Sequence, residues 1–238
     1  MGLESLQGGI YFVLALIATL TAVLGLLFVN HLSKKRAKET ISNSYSFFFL
    51  ALGFGYACFA LAELSWFLIF KLFGESASGS MPDFYWVIGA VSLFLGFTVF
   101  YLFTSSKQGK GHWIIILMIL FALSSLILYY LLGANVIPHD TSTGQTFLGY
   151  FYPMISALIL ISSIGAYFFM ANHEDFSTPL LLMVIANALF FTGDLTYSYA
   201  SFESVYGFIG FFSDLIYILA YLSCCLSFYY FLTRIKGE

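Results

Sequence analysis

Seven apolar runs, each long enough to cross a bilayer, leave this chain one class of fold. They fall at about 10–33, 45–70, 82–104, 112–132, 147–170, 178–200 and 211–233. Roughly 20 apolar residues span the hydrocarbon core as a helix, so each run reads as one crossing. Within a bilayer every backbone N–H and C=O needs a partner inside the protein, which limits spanning segments to helices or closed barrels. These runs are continuous rather than alternating, which excludes a barrel. Only 9% of the residues are charged, against about a quarter in water-soluble domains. The expected fold is all-α: an integral membrane seven-helix bundle, a single domain over 1–238, multi-pass in the cell membrane.

The N-terminal stretch is not expected to be a cleavable leader. Met1 to Gly9 carries no basic residue, and the first basic cluster, Lys34, Lys35, Arg36 and Lys38, follows the first run. Leu6 occupies the place where an N-myristoylation motif needs serine or threonine. Cys58, Cys224 and Cys225 all lie inside apolar runs, so no disulfide framework is implied. With the N-terminus outside, eight of nine basic residues fall on the cytoplasmic side and only Lys71 falls outside. That asymmetry predicts an outer N-terminus and a cytoplasmic C-terminus.

A second regularity does not depend on hydropathy. Shifted by 131 residues, 46–102 lies over 177–233 without a gap, with eleven identical positions. Glu63 falls on Asp194 and Asp83 on Asp214, and each pair is separated by 20 residues. Each acid is followed three residues later by a large aromatic: Trp66, Trp86, Tyr197 and Tyr217. Residues three apart share a helical face, so acid and aromatic are read together. The copies start an even number of crossings apart and share one orientation. The expected plan is a 3+1+3 parallel internal repeat about an axis along the membrane normal.

In this topology the four acids lie toward the outer surface. Asp83, after Ser80-Met81-Pro82, and Asp214, after Phe212-Ser213, stand at helix starts, where an acid caps and complements the dipole. Glu63 and Asp194 are placed about five residues inside their helix ends, roughly 8 Å deep. An acid there faces a partner or a water-filled cavity, because lipid is the costly alternative. Two readings stand side by side: a carboxyl hydrogen-bonded to tyrosines that fixes helix register, and a ligand site. Asn187, two turns from Asp194 on the same face, joins the ligand-site reading, and Tyr56 holds its place in the other copy.

Several chemistries lack their residues. The seventh run has no lysine for a retinal Schiff base, and Lys71 is at a helix end. His31, His112, His139 and His173 lie at helix ends or in loops, so no intramembrane zinc site or histidine base for Ser124, Ser162 or Ser223 is expected. The chain is read as having no catalytic or metal site, no cofactor and no nucleic-acid partner. Aromatics make up 21% of the residues. Trp66, Trp86 and Trp113 suit interfacial belts, and an aromatic outer pocket over acids suits an organic cation.

The acid and aromatic pattern resembles the seven-helix sensory-input domains that precede diguanylate cyclase and histidine kinase modules in bacteria and archaea. The resembling stretches are Ala62-Glu63-Leu64-Ser65-Trp66, Pro82-Asp83-Phe84-Tyr85-Trp86 with Gly89, Gly193-Asp194-Leu195-Thr196-Tyr197, and Asp214-Leu215-Ile216-Tyr217 with Tyr221. Tyr152-Pro153 resembles a fifth-helix element of that family, with Ser156 where the family has an acid, and no site residue is assigned there. The resemblance implies a sensory or receptor-like membrane module. Since Glu238 follows closely on the last run, the expectation is a stand-alone module that passes its signal to a separate protein. The expected ligand is an extracellular small molecule or cation, at Glu63, Trp66, Asp83, Trp86, Asn187, Asp194, Tyr197, Asp214, Tyr217 and Tyr221. A small transporter or channel for a cation or polar solute is the alternative. The bilayer, a signalling protein and a second copy of the chain complete the expected partners.

Overall fold

The computed structural model describes residues 3–36, 43–73, 81–107, 143–170, 174–202 and 206–236, and all of them are helical. The helices are α1 (Leu3–Arg36), α2 (Asn43–Phe73), α3 (Met81–Lys107), α4 (Thr143–Met170), α5 (Glu174–Phe202) and α6 (Phe211–Lys236). One π-helical turn, Tyr206–Gly210, leads into α6. Among the described residues six helices are thus long and apolar enough to cross a membrane, as a multi-pass membrane protein requires. The expected fourth segment, 112–132, lies outside the described residues, as does Ser80 before α3. The fifth, sixth and seventh expected segments are therefore α4, α5 and α6.

Most helices run past the ends of their apolar runs. α1 starts at Leu3 and α2 continues to Phe73, and just inside these extensions the two helices pack on each other. Tyr11 meets Phe70 at 4.9 Å and Trp66 at 6.2 Å between ring centroids, and Phe12 meets Phe67 at 5.7 Å. Edge-to-face pairs of this kind add about 0.5–1.5 kcal/mol each beyond their area. In consequence Glu63 lies ten residues before the end of α2, and Asp194 eight before the end of α5. At 1.5 Å per residue the two acids lie roughly 15 and 12 Å along the axis from those helix ends.

The helices pack in a closed ring: each on the next along the chain, and α6 back on α1. Across the ring, α2 and α5 meet through long side chains. Phe59 and Phe190 lie 5.8 Å apart, and the Tyr56 hydroxyl donates to Met183 Sδ at 3.7 Å. The end away from the acids is filled by aromatics. Phe28 stacks on Phe231 at 4.9 Å, Phe48 on Phe100 at 4.3 Å, and Phe49 reaches Phe176 at 6.3 Å. Phe28, Phe48, Phe97, Phe100, Phe228 and Phe231 are all fully buried there. Leu16, Leu20, Leu26, Leu50, Phe54, Leu61 and Leu226 face outward along the middle of their helices. Such a surface suits hydrocarbon, since water-soluble monomers rarely expose apolar patches on this scale.

Candidate functional site

The acids enter a bundle in which lipid cannot satisfy them, so their partners come from neighbouring helices. Glu63 is buried between α3 and α6. Its Oε1 accepts from Trp86 Nε1 at 3.3 Å and from the Tyr221 hydroxyl at 2.9 Å. Its Oε2 takes no hydrogen bond among the described residues. Asp194 is held on both oxygens: the Tyr217 hydroxyl donates to Oδ1 at 2.6 Å, and the Ser156 hydroxyl donates to Oδ2. The Tyr152 hydroxyl donates to Asp83 Oδ1 at 2.8 Å.

Followed from helix to helix, these bonds form a circuit. Asp83 and Trp86 share one turn of α3. Trp86 leads to Glu63 of α2, and Glu63 to Tyr221 of α6. One turn away on α6, Tyr217 leads to Asp194 of α5, and Asp194 to Ser156 of α4. One turn from Ser156, Tyr152 returns to Asp83. Five of the six described helices are tied together at one level by three carboxyls and neutral donors. Among the described residues no lysine or arginine takes part. Trp66 stands beside the circuit, 5.8 Å from Trp86, and Trp86 meets Tyr152 edge-on at 6.4 Å.

Local sequence makes room for these contacts. At Gly193 a Cβ would lie 2.8 Å from Tyr217 Cε1, so glycine lets the ring lie against the α5 backbone beside Asp194. The Ser213 hydroxyl donates to the Gly193 carbonyl at 3.0 Å and fixes the same approach. Pro153, between Tyr152 and Ser156, removes the helical N–H that would serve the Gly149 carbonyl. The Ser198 hydroxyl reaches that carbonyl at 3.4 Å and ties α4 to α5. Such re-satisfaction by a neighbouring helix is how prolines are tolerated in membrane helices.

Of the expected site residues, Glu63, Trp66, Asp83, Trp86, Asp194, Tyr217 and Tyr221 come together here. Tyr197 is half-buried and close enough to Tyr152 and Tyr217 to interact electrostatically. Asp214 is buried at the start of α6. Asn187 lies apart, seven residues or roughly 10 Å along α5 from Asp194, and its Nδ2 has no hydrogen-bond partner among the described residues. Two members had been given no role: Tyr152 and Ser156. The Tyr-Pro-x-x-Ser spacing, which puts both hydroxyls on one face of α4, was the signal available.

No protein-family model, curated protein or solved structure matches this chain. Its function rests on the geometry of the circuit. The arrangement can hold a carboxyl in place without neutralising it, which suits an acceptor of a proton or small cation. Among the described residues no cluster of histidine, cysteine and acid side chains could hold a transition metal.

Proposed function

We propose that this chain is a stand-alone sensor or receptor-like module of the cell membrane. Its acidic, aromatic end faces outward, takes a small cation or proton, and passes the signal to a separate cytoplasmic partner. The carrying observation is the circuit itself: three carboxyls join five helices, and Glu63 Oε2 has no hydrogen bond among the described residues. Ligand charge at that oxygen would be felt by every helix in the circuit, because low dielectric strengthens electrostatic interactions. The bundle is proposed to have seven helices, an outer N-terminus and a cytoplasmic C-terminus, in keeping with the distribution of basic residues.

The same reading includes the parallel repeat. Glu63–Trp86 and Asp194–Tyr217 are related by the 131-residue shift at both members and are bonded in the same way. Phe59 and Phe190, also related by the shift, face each other across the ring. The packing order α1–α2–α3 and α4–α5–α6 maps onto itself when the halves are exchanged.

Paired halves also favour a second reading, a small transporter. The fully buried aromatic layer between Phe28 and Phe231 opposes an open path in this conformation. Proteoliposomes decide between the two. A sensor gives a saturable change in tryptophan fluorescence on adding sodium, potassium or tetramethylammonium, with no net flux of the added ion. Net flux at rates above protein-free liposomes would overturn the sensor reading in favour of transport.

A further inference from the structure

Both halves of α6 bury one face in the bundle, but they differ in their polar attachments and in how their ends are exposed. Away from the acids, Phe228 and Phe231 are fully buried in the aromatic layer. There the Ser227 hydroxyl donates to the Pro179 carbonyl at 2.8 Å, and Thr21 Oγ1 lies 2.9 Å from Cys225 Sγ. Packing and hydrogen bonds to α1 and α5 fix that half. At the acidic end, Phe208 is 80% exposed and Phe212 is 51% exposed. The polar attachments of this half include Tyr217 to Asp194, Tyr221 to Glu63, Ser213 to the Gly193 carbonyl, and the Thr21 hydroxyl to the Tyr221 carbonyl at 3.2 Å, which marks where the anchored half begins. Phe190 packs edge-on against Tyr221 at 5.0 Å.

Two features make this half suited to movement. It begins with the π-helical turn Tyr206–Gly210, and such wide turns are rare and gather at functional sites. Tyr217 and Tyr221 are four residues apart on one face, so one displacement of the helix strains both bonds. The two bonds reach different helices, α5 and α2, so α6 responds to a change at either carboxyl.

We propose that the acidic half of α6, from Tyr206 to Tyr221, is the moving element of this bundle, latched by its two tyrosine–carboxyl bonds. Release swings it outward about its anchored far half and opens the side of the acid circuit. The latch does not depend on what the acids bind, so it goes beyond the functional reading above and can fail separately from it.

Pulsed electron–electron spin resonance on the full chain tests it. Nitroxides on Leu68→Cys and Phe208→Cys, both exposed, report the acidic end. A second pair on Asn30→Cys and Thr233→Cys, also exposed, reports the anchored end. The native cysteines are buried and stay unlabelled. In Tyr217→Phe/Tyr221→Phe the first pair gains a longer-distance population, and the second pair keeps the wild-type distribution. Tyr152→Phe, which opens the circuit between α3 and α4, leaves both pairs unchanged. A wild-type distribution for the first pair in the folded double variant overturns the latch, as does an equal shift from Tyr152→Phe. If the double variant does not fold, each single phenylalanine variant is read instead. A shift toward longer distance in either supports the latch, and wild-type distances in both overturn it.

Discussion

Replacing Asn187 by leucine should stabilise this protein. Asn187 is 2% exposed, and its Nδ2 lacks a hydrogen-bond partner among the described residues. A sealed, unpaired donor costs about 1–3 kcal/mol. Leucine has the same branching and heavy-atom count, and near-isosteric changes usually cost less than about 1.5 kcal/mol. The net gain should be about 1 kcal/mol, or roughly 2–4 °C in melting temperature for a chain of this size. The other half supplies an internal comparison. Tyr56, at the equivalent position, accepts from Cys224 Sγ at 3.0 Å and donates to Met183 Sδ at 3.7 Å. Under the 131-residue shift those partners become Leu93 and Leu52, which offer Asn187 nothing polar. Tyr56→Phe removes both bonds and should lower the melting temperature, opposite in sign to Asn187→Leu. Thermal unfolding in one detergent, followed by circular dichroism, measures both. A loss of 1 kcal/mol or more in Asn187→Leu would mean that the amide has an acceptor, and the reasoning would be wrong.

Gly193→Ala should destabilise by about 1–3 kcal/mol, because its Cβ meets the Tyr217 ring at 2.8 Å. Gly9→Ala, with nothing within 4 Å, should be neutral or stabilise by up to about 1 kcal/mol. Equal melting temperatures for the two variants would show that Tyr217 is not held against α5. For topology, a membrane-impermeant thiol reagent added to intact cells should modify Ser142→Cys and spare Gln108→Cys. The reverse pattern would invert the bundle and every outward assignment.

The helical class was legible because an apolar run of bilayer length has few other folds open to it. The ends of α1 and α2 were not, because the helices continue through the less apolar stretches before residue 10 and after residue 70, where hydropathy marks no run. The acids stood out because charge inside an apolar run is costly. Their bonding did not follow the local spacing. Trp66 shares a face with Glu63, yet the bond comes from Trp86 on α3; Tyr197 follows Asp194, yet the bond comes from Tyr217 on α6. In each case the aromatic belonging to Asp83 or Asp214 serves the acid of the preceding helix. Tyr152 and Ser156 were hidden for a related reason. Tyrosine and serine are ordinary in membrane helices, and only the packing of α4 between α3 and α5 gives these two a carboxyl to hold.

Trp86 offers the most direct test of the acidic site, because its indole N–H is bonded to Glu63 and its ring lies beside Trp66. Intrinsic fluorescence of the protein in nanodiscs should change saturably on titration with sodium, potassium or tetramethylammonium chloride at constant ionic strength. Glu63→Gln/Asp194→Asn keeps hydrogen-bonding groups of similar shape while removing both charges, so it should remain folded and give no such change. A neutral amide cannot replace charge in a low-dielectric site. A double amide variant that titrates as the wild type does, or a wild type that responds neither to the three cations nor to a change of pH, would contradict the assignment of the carboxyl circuit as the receiving site.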